Sequence, residues 1–130
     1  LDGTWDEYRK ETGRRLAPLR EQGILILASG SATHNLGDLA AEGSPTPDWA
    51  RAFDSWLGRV LETGDLEALL DYRRRAPHAQ WAHPTDEHFQ PLFVAAGAGL
   101  GSPAHTLHAG FSYASIAMRS VSFDGRQAAA

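Results

Sequence analysis

The sequence predicts an α/β fold, a mixed sheet flanked by helices in a three-layer sandwich. Residues 24–27 form a continuous β-favouring apolar run between Gly23 and a turn of small residues, which is typical of a strand buried on both faces. Apolar residues between positions 49 and 61 recur at helical spacing, so this stretch is predicted to be an amphipathic helix. Apolar residues within 115–123 predict a final, partly buried strand.

The first helix is predicted from its terminal signals. Thr4 followed by Glu7 has the form of a capping box, so a helix should begin here, with Trp5 on its apolar stripe. Pro18 should kink or restart that helix because proline lacks the backbone donor of an interior position. Gly23 should end it.

Two further helices are expected in the second half of the chain. One runs from about residue 65 to 72 and leads into three arginines at 73–75, which suit a solvated helix end because cations there complement the helix dipole. Thr85 is predicted to cap the other, with His88 at its third position and Gly97 at its end. The glycine-rich stretch 97–102 follows a helix and has no Lys-Ser/Thr pair, which argues against a phosphate loop.

Composition narrows the possible partners and the compartment. The chain has 130 residues, 42% of them hydrophobic, enough for one domain with a core. A net charge of −4 disfavours nucleic acid and anionic membranes, and no apolar run approaches a membrane span. Without cysteine, imidazole and carboxylate are the only strong metal ligands, and we expect a reducing, cytoplasmic location. The sequence begins at Leu1, so we expect it to be a piece of a longer protein. The sequence leaves the oligomeric state open.

His34 is the first candidate functional residue. It follows the predicted strand 24–27 and the small residues 28–33, and open α/β sheets bind ligands at the carboxyl ends of their strands. Small residues there would let a substrate approach the backbone closely. An imidazole at this edge can move protons near neutral pH, although a turn-capping histidine is the alternative. Ser29 and Ser31 raise the alternative of a serine hydrolase with His34 as base, although the sequence lacks the glycine pattern of a nucleophile elbow.

The other histidines are separated by their contexts. His83 and His88 are five positions apart, which matches neither the i, i+4 pair of a helical zinc site nor the i, i+3 pair of a di-iron bundle. We expect the two side chains to point apart, so spacing alone does not favour a metal site. His78, His105 and His108 lie in Pro- or Gly-containing stretches and are predicted to be surface or turn residues.

Three blocks of sequence carry a family resemblance: residues 16–36 (LAPLREQGILILASGSATHNL), 82–99 (AHPTDEHFQPLFVAAGAG) and, more loosely, 110–123 (GFSYASIAMRSVSF). They resemble the class III extradiol ring-cleavage dioxygenases of the LigB type, and within them the DOPA 4,5-dioxygenase-like branch. Family members are about twice as long, and the match is to their carboxyl-terminal half. The resemblance implies that residues 1–130 are the C-terminal half of a single catalytic domain.

The resemblance also implies the roles of two histidines. His88 would be a metal ligand in an all-histidine facial triad, which leaves positions open for a catechol and O2. His34 would be the acid/base residue beside the metal, close enough to be a ligand when the ion is zinc rather than Fe(II). Two further histidine ligands would come from the N-terminal half, so we expect the isolated fragment to be inactive.

The substrate implied is a DOPA-like catechol. Tyr113 and Arg119 depart from the family's small-residue pattern in the last block, so the ring-binding pocket and the exact substrate are not assigned. Two alternatives remain from the residues themselves: a metal-independent serine/histidine hydrolase, and a non-catalytic descendant of the fold that binds a small phenol.

Overall fold

The structure, a computed structural model, describes residues 4–124 as helices and two small antiparallel sheets. The helices are α1 (Trp5–Leu16), α2 (Asp48–Thr63), α3 (Leu66–Leu70), α4 (Tyr72–Arg75), α5 (Ala79–Ala82) and α6 (Gln90–Ala98). The strands are β1 (His105–His108), β2 (Phe111–Ser112), β3 (Ile116–Ala117) and β4 (Ser120–Ser122). The predicted α/β class is confirmed. Within the part of the chain described, no helix is long and apolar enough to cross a bilayer.

Helix α2 carries the core, as its apolar periodicity predicted. Phe53, Leu57 and Leu61 are almost fully buried on one face of it, and each such burial stabilises the fold by about 1.5–3 kcal/mol. The helix ends at Gly64, whose φ of 71° is left-handed and costs glycine little because it has no Cβ. The residues packed against α2 come mainly from the following helices and turns: Leu69, Tyr72, Ala79, Ala82, Phe89 and Phe93.

Helices α1 and α6 cross closely through two glycines. A Cβ on Gly13 would overlap the carbonyl oxygen of Val94, and one on Gly97 would overlap that of Lys10. The prediction that Gly97 ends a helix is therefore wrong, because α6 continues to Ala98 and uses the glycine for backbone contact. The predicted apolar stripe of α1 is also wrong, since Trp5 is 64% exposed and the buried side of the helix is formed by small and polar residues.

The start of the chain otherwise follows its signals. Thr4 and Glu7 form the predicted capping box, each side chain accepting from the other residue's backbone N–H. Pro18 lies in a 3-10 turn over Ala17–Gln22 that continues from α1, and Gly23 ends it with a φ of 74°. The proline thus changes the type of helix without reversing the chain.

The predicted cap at Thr85 is a second correction. Helix α6 begins at Gln90, and Pro91 occupies its first turn, where proline needs no backbone donor. The backbone N–H groups of Phe89 and Gln90 both donate to the carbonyl oxygen of Asp86, which closes a turn before the helix. His88 therefore lies in this turn rather than at the third position of a helix.

The strands differ most from expectation. The predicted final strand is divided into β3 and β4, which pair antiparallel with β2 and β1 respectively. Residues 24–27 form no strand, and Leu25 and Leu27 are each 83% exposed, so their predicted burial is wrong. A strand of this kind needs neighbours on its edges, and none lies beside it within residues 4–124.

Candidate functional site

The imidazole rings of His34 and His88 lie against each other. Their centroids are 3.7 Å apart and their planes are inclined by 21°, although 54 positions separate the two residues in the chain (88 − 34). His34 is partly buried, whereas the His88 side chain is 48% exposed and lines a cleft of about 1240 Å³. The structure thus brings together two residues that the sequence singled out separately.

Hydrogen bonds hold the two histidine-bearing segments side by side. Residues 31–35 and 81–88 run next to each other, and four contacts join them. These are Ser31 N to His88 O (2.8 Å), His34 N to Ala82 O (2.8 Å), Asn35 Nδ2 to Trp81 O (2.8 Å) and His83 Nε2 to Ala32 O (2.7 Å). Because three of the four involve the segment 81–83, two through backbone carbonyls and one through the His83 side chain, the position of His34 depends on that segment.

Gly30 makes the close approach of the two segments possible. A Cβ at this position would overlap the carbonyl oxygen of His88 and press on the ring of Pro91. The sequence predicts that the small residues before His34 leave room for a substrate near the backbone. At Gly30 that room is occupied by the backbone of the other histidine segment, so the glycine is required for the juxtaposition of the rings.

His83 is the anchor of this arrangement and lies in the core. Its side chain is fully buried against the rings of Phe89 (centroids 4.4 Å apart) and Phe53 (5.5 Å). Burial lowers its pKa to about 4, against a smaller opposing effect of the hydrogen bond to Ala32. His83 is therefore neutral at neutral pH. Its own carbonyl accepts from the guanidinium of Arg73, which fixes the backbone at the start of the histidine turn.

The tautomer of His83 follows from its partner. A carbonyl oxygen only accepts, so the Nε2 of a neutral His83 must carry the proton that is donated to Ala32. Its Nδ1 is buried and has no hydrogen-bond partner among residues 4–124. The expected separation from His88 fits the geometry, because His88 lines the cleft and His83 does not.

A buried acidic group lies near the charges of Arg73 and Asp86, and the sequence pattern did not indicate it. Asp6, on α1, is 8% exposed, and burial raises the pKa of its carboxyl to about 6, helped by the nearby charge of Asp86 and opposed by Arg73. Burial likewise raises the pKa of the Tyr72 hydroxyl. The capping pattern at the start of α1 does not distinguish Asp6 from other first-turn residues. Arg73 lies in a run of three arginines, and the other two pair with carboxylates at the surface.

The hydroxyl of Ser31 is engaged away from His34. It donates to the carbonyl oxygen of Thr33 at 2.6 Å, whereas a serine nucleophile needs its hydroxyl on the base. Thr33 is itself buried, donates to Ser115 O and accepts from Ala117 N. These bonds tie the histidine loop to the hairpin of β2 and β3. The geometry does not support Ser31 as the nucleophile of the serine hydrolase alternative.

The remaining histidines are exposed, as predicted. His78 precedes α5 with a left-handed φ of 55°. His105 and His108, predicted to lie in a connection, instead begin and end β1. The Nε2 atom of His105 lies 3.6 Å from Oδ1 of Asp124.

Arg119 and Tyr113 mark where the last block departs from the expected family pattern. Arg119 forms a bidentate ion pair with Asp54, at 2.8 and 2.9 Å, and its guanidinium covers Gly58 at a distance that leaves no room for a Cβ. Both charged side chains are largely buried. The hydrogen bond to Asp54 raises the pKa of the Arg119 guanidinium, and burial opposes that effect. Tyr113 is 54% exposed.

The two adjacent imidazoles fit part of a metal site. Imidazole nitrogen is a good ligand for iron and zinc. The rings of His34 and His88 are close enough for both to lie beside one ion. Within residues 4–124, no group of three or more His, Asp or Glu side chains is placed to hold a metal ion. A facial triad needs three protein ligands, so this chain contributes an incomplete donor set.

The fold and the site together define a class of protein: an α/β domain that presents a histidine pair at the side of a wide cleft. A family model described as the catalytic LigB subunit of aromatic ring-opening dioxygenase matches residues 5–124. The chain belongs to this family, and the resemblance inferred from the sequence is confirmed.

Named relatives and a solved structure agree with this assignment. The chain is 44% identical over 109 residues to a 4,5-DOPA dioxygenase extradiol of Beta vulgaris, covering 83% of this chain and 40% of that protein. It is 35% identical over 120 residues to the protein of the same name in Escherichia coli, covering 85% and 42%. An uncharacterized protein of Escherichia coli K12 has a crystal structure that matches with a TM-score of 0.77 at 31% identity, covering 89% of this chain and 49% of that one. This chain thus spans about two fifths of the curated relatives.

Proposed function

We propose that residues 1–130 are the C-terminal half of the catalytic domain of a cytoplasmic, metal-dependent extradiol dioxygenase that opens the ring of a DOPA-like catechol with O2. The observation that carries the proposal is the contact between His34 and His88, whose rings stack at 3.7 Å beside a cleft. Membership of the family supports the reaction type. The name of the Beta vulgaris relative supports the choice of catechol.

We assign different roles to the two histidines. His88 is proposed as a metal ligand because its side chain is about half exposed at the cleft, where an ion can reach it. His34 is proposed as the acid/base residue, and as a second ligand when the ion is Zn(II), because it lies against His88. Two further histidine ligands are proposed to come from the N-terminal half of the domain. When bound, Fe(II) would bring the catechol and O2 together and allow electron density to pass between them.

In this proposal the residues of this chain transfer protons and hold the proton-accepting ring in position. A catechol must lose protons before it can chelate a cation, and a neutral imidazole at His34 can accept one at a ring nitrogen. The same residue can return that proton when the ring opens. Both atoms of O2 enter the ring-opened semialdehyde, so the reaction needs no external reductant. The hydrogen bonds of the His34 and His83 segments hold the accepting ring in place before substrate arrives.

The proposal is tested on the complete polypeptide reconstituted anaerobically with Fe(II). We expect catechol-dependent O2 uptake with the yellow absorbance of a semialdehyde, and loss of both after treatment with a chelator. His34→Gln should lower kcat by about 10²- to 10⁴-fold, the usual contribution of a general acid/base, while Fe(II) remains bound. His88→Ala should lower Fe(II) affinity itself. His78→Gln, an exposed histidine outside the site, is the matched control.

Three results would count against it. Turnover that survives the chelator would favour a hydrolase or another metal-independent reaction. Binding of a catechol without O2 uptake would favour the non-catalytic, phenol-binding descendant. Full activity of His34→Gln would remove the proposed acid/base role.

A further inference from the structure

The loop that carries His34, residues 33–38, is fixed at both of its ends. At its start, the buried Thr33 donates to the carbonyl oxygen of Ser115 at 2.6 Å. At its end, the carbonyl oxygen of Asp38 accepts from the Ser115 hydroxyl at 2.8 Å. Between these points the only regular structure is the short 3-10 turn Leu36–Asp38. The contacts of individual side chains therefore set the path of this His34 loop.

The side chain of Asp38 joins the His34 loop to two tryptophans. Its Oδ2 atom accepts from Nε1 of Trp49 at 2.7 Å and from Nε1 of Trp81 at 3.3 Å. Trp49 lies in α2 and packs against the core, whereas Trp81 lies in α5. An indole N–H is a donor only, so both rings use this carboxylate as their acceptor. We call Asp38, Trp49 and Trp81 the indole clamp.

Trp81 is connected back to the His34 loop through the backbone. The carbonyl oxygen of Trp81 accepts from Nδ2 of the buried Asn35 at 2.8 Å. The next carbonyl, that of Ala82, accepts from the backbone N–H of His34, also at 2.8 Å. The Asp38 side chain thus holds the Trp81 ring, while the backbone at 81–82 holds His34. Because these bonds form a closed network, a loss at Asp38 also loosens the support of His34.

Burial alone does not fix the Trp81 ring. The residue is 55% exposed, so much of its apolar surface gains nothing from packing. A hydrogen bond to a carboxylate is about twice as strong as one to a neutral acceptor. The bond to Asp38 is therefore the contact that orients the ring. Trp49 supplies the fixed point of the indole clamp, because it packs on the core.

We propose that Asp38 is a positioning residue, whose carboxylate fixes the indole clamp and thereby holds the His34 ring against His88. The inference rests on the proposed function for the reaction that His34 serves. Displacing an acid/base group by about 1 Å can cost about 10²-fold in rate. The loss should fall on kcat, because His34 is proposed to transfer protons during the reaction. KM should change less, because substrate binding is proposed to depend on the ion held by His88.

The test compares three variants of the complete polypeptide loaded with Fe(II). Asp38→Leu removes the acceptor at similar size, whereas Asp38→Asn keeps one amide oxygen that can accept from the indoles. Asp48→Leu is the matched control, because Asp48 is an exposed residue next to Trp49 in the sequence. We expect Asp38→Leu to lower kcat by about 10- to 100-fold, with KM changed by less than about threefold. Asp38→Asn should keep kcat within about threefold of the wild type, and Asp48→Leu should leave it unchanged.

A second measurement, on the metal-free complete polypeptide, does not depend on activity. Nuclear magnetic resonance with labelled tryptophan and histidine follows the indole N–H groups and the nuclear Overhauser effect between the His34 and His88 rings. Trp49→Phe and Trp81→Phe assign the two indole signals. In Asp38→Leu we expect both indole N–H groups to exchange about tenfold faster or more, and the effect between the histidine rings to weaken. Asp38→Asn and Asp48→Leu should retain both features.

Four results would contradict this inference. Unchanged indole exchange in Asp38→Leu, or an unchanged effect between the histidine rings, would refute the indole clamp. An equal loss in Asp38→Asn or in Asp48→Leu would show that the acceptor at position 38 is not the cause. Displaced histidine rings with unchanged kcat would refute the positioning role.

The outcomes also separate this inference from the proposed function. If the resonance changes are found but the wild-type protein consumes no O2 with any catechol, the proposed function fails and the indole clamp stands. Circular dichroism checks that Asp38→Leu folds. If it does not fold, Trp81→Phe takes its place, because it removes one donor from a ring that is more than half exposed. That variant should lower kcat at constant KM, and unchanged kcat would refute the positioning role.

Discussion

Replacing His83 with leucine should change how stability depends on pH. His83 has a pKa of about 4 in the folded chain because of its burial and about 6.5 when unfolded. Between these values the unfolded chain binds the proton more tightly, so the folded chain loses stability as pH falls. The full loss is about 2.5 pKa units, or roughly 3 kcal/mol, complete near pH 4 and absent above pH 7.

The leucine variant has no titrating group at this position, and it also loses a hydrogen bond. The Nε2 donor to Ala32 disappears, which costs about 1 kcal/mol at any pH. At pH 7 the variant should therefore be less stable than the wild type by about that amount. As pH falls the wild type loses its advantage, and the two curves should cross at about pH 5.8. By pH 4 the variant should be the more stable protein, by roughly 2 kcal/mol.

Urea unfolding followed by tryptophan fluorescence, at intervals from pH 4 to pH 8, measures the difference between the two proteins. Taking the difference removes groups that titrate equally in both, including Asp6. Phe89→Leu is the matched control, because it alters the same ring cluster without removing a titrating group. A His83→Leu difference that stays flat with pH, like that of the control, would refute the account of a buried neutral imidazole.

Three further outcomes are expected. Asp6→Asn should gain stability relative to the wild type as pH rises from 4 to 7, by up to about 3 kcal/mol, because the buried carboxyl (pKa about 6) resists ionisation; urea titrations that show the opposite slope would contradict this. Gly97→Ala should lower the free energy of unfolding by about 1–3 kcal/mol or more, since its Cβ overlaps Lys10 on α1, as urea unfolding at pH 7 would show. Gly30→Ala should push the His88 turn away and lower kcat of the Fe(II)-loaded complete protein about 10- to 100-fold, whereas unchanged turnover would show that the spacing of the rings is not critical.

Local signals predicted the parts of the fold that depend on local physics. The apolar periodicity of α2 and the capping box of Thr4 and Glu7 both appear in the structure as expected, because a helix is specified by neighbours within one or two turns. The bounds of α6 differ from the prediction because Pro91, and not Thr85, marks its start, and because Gly97 lies within the helix. Whether a glycine ends a helix or touches another one depends on a partner that is distant in the chain.

The same distinction explains the site. The turn of small residues indicated His34 as a functional residue, and the family resemblance indicated His88. Nothing in the local sequence showed that the two rings would stack. The spacing of His83 and His88 predicted that their side chains point apart, but it could not predict the hydrogen bond from His83 to Ala32. The burial predicted for residues 24–27 failed because it depends on neighbouring strands that are absent from the described chain.

The ion pair of Arg119 constrains how this part of the molecule can vary over evolution. Its guanidinium occupies the space above Gly58 and is held there by Asp54. A larger residue at position 58 would displace the guanidinium of Arg119 unless residue 119 were also shorter, and either change would leave the carboxylate at 54 without its counter-charge. Positions 54, 58 and 119 should therefore change as a linked set among homologous sequences, with the loss of any one member selecting for loss of the others.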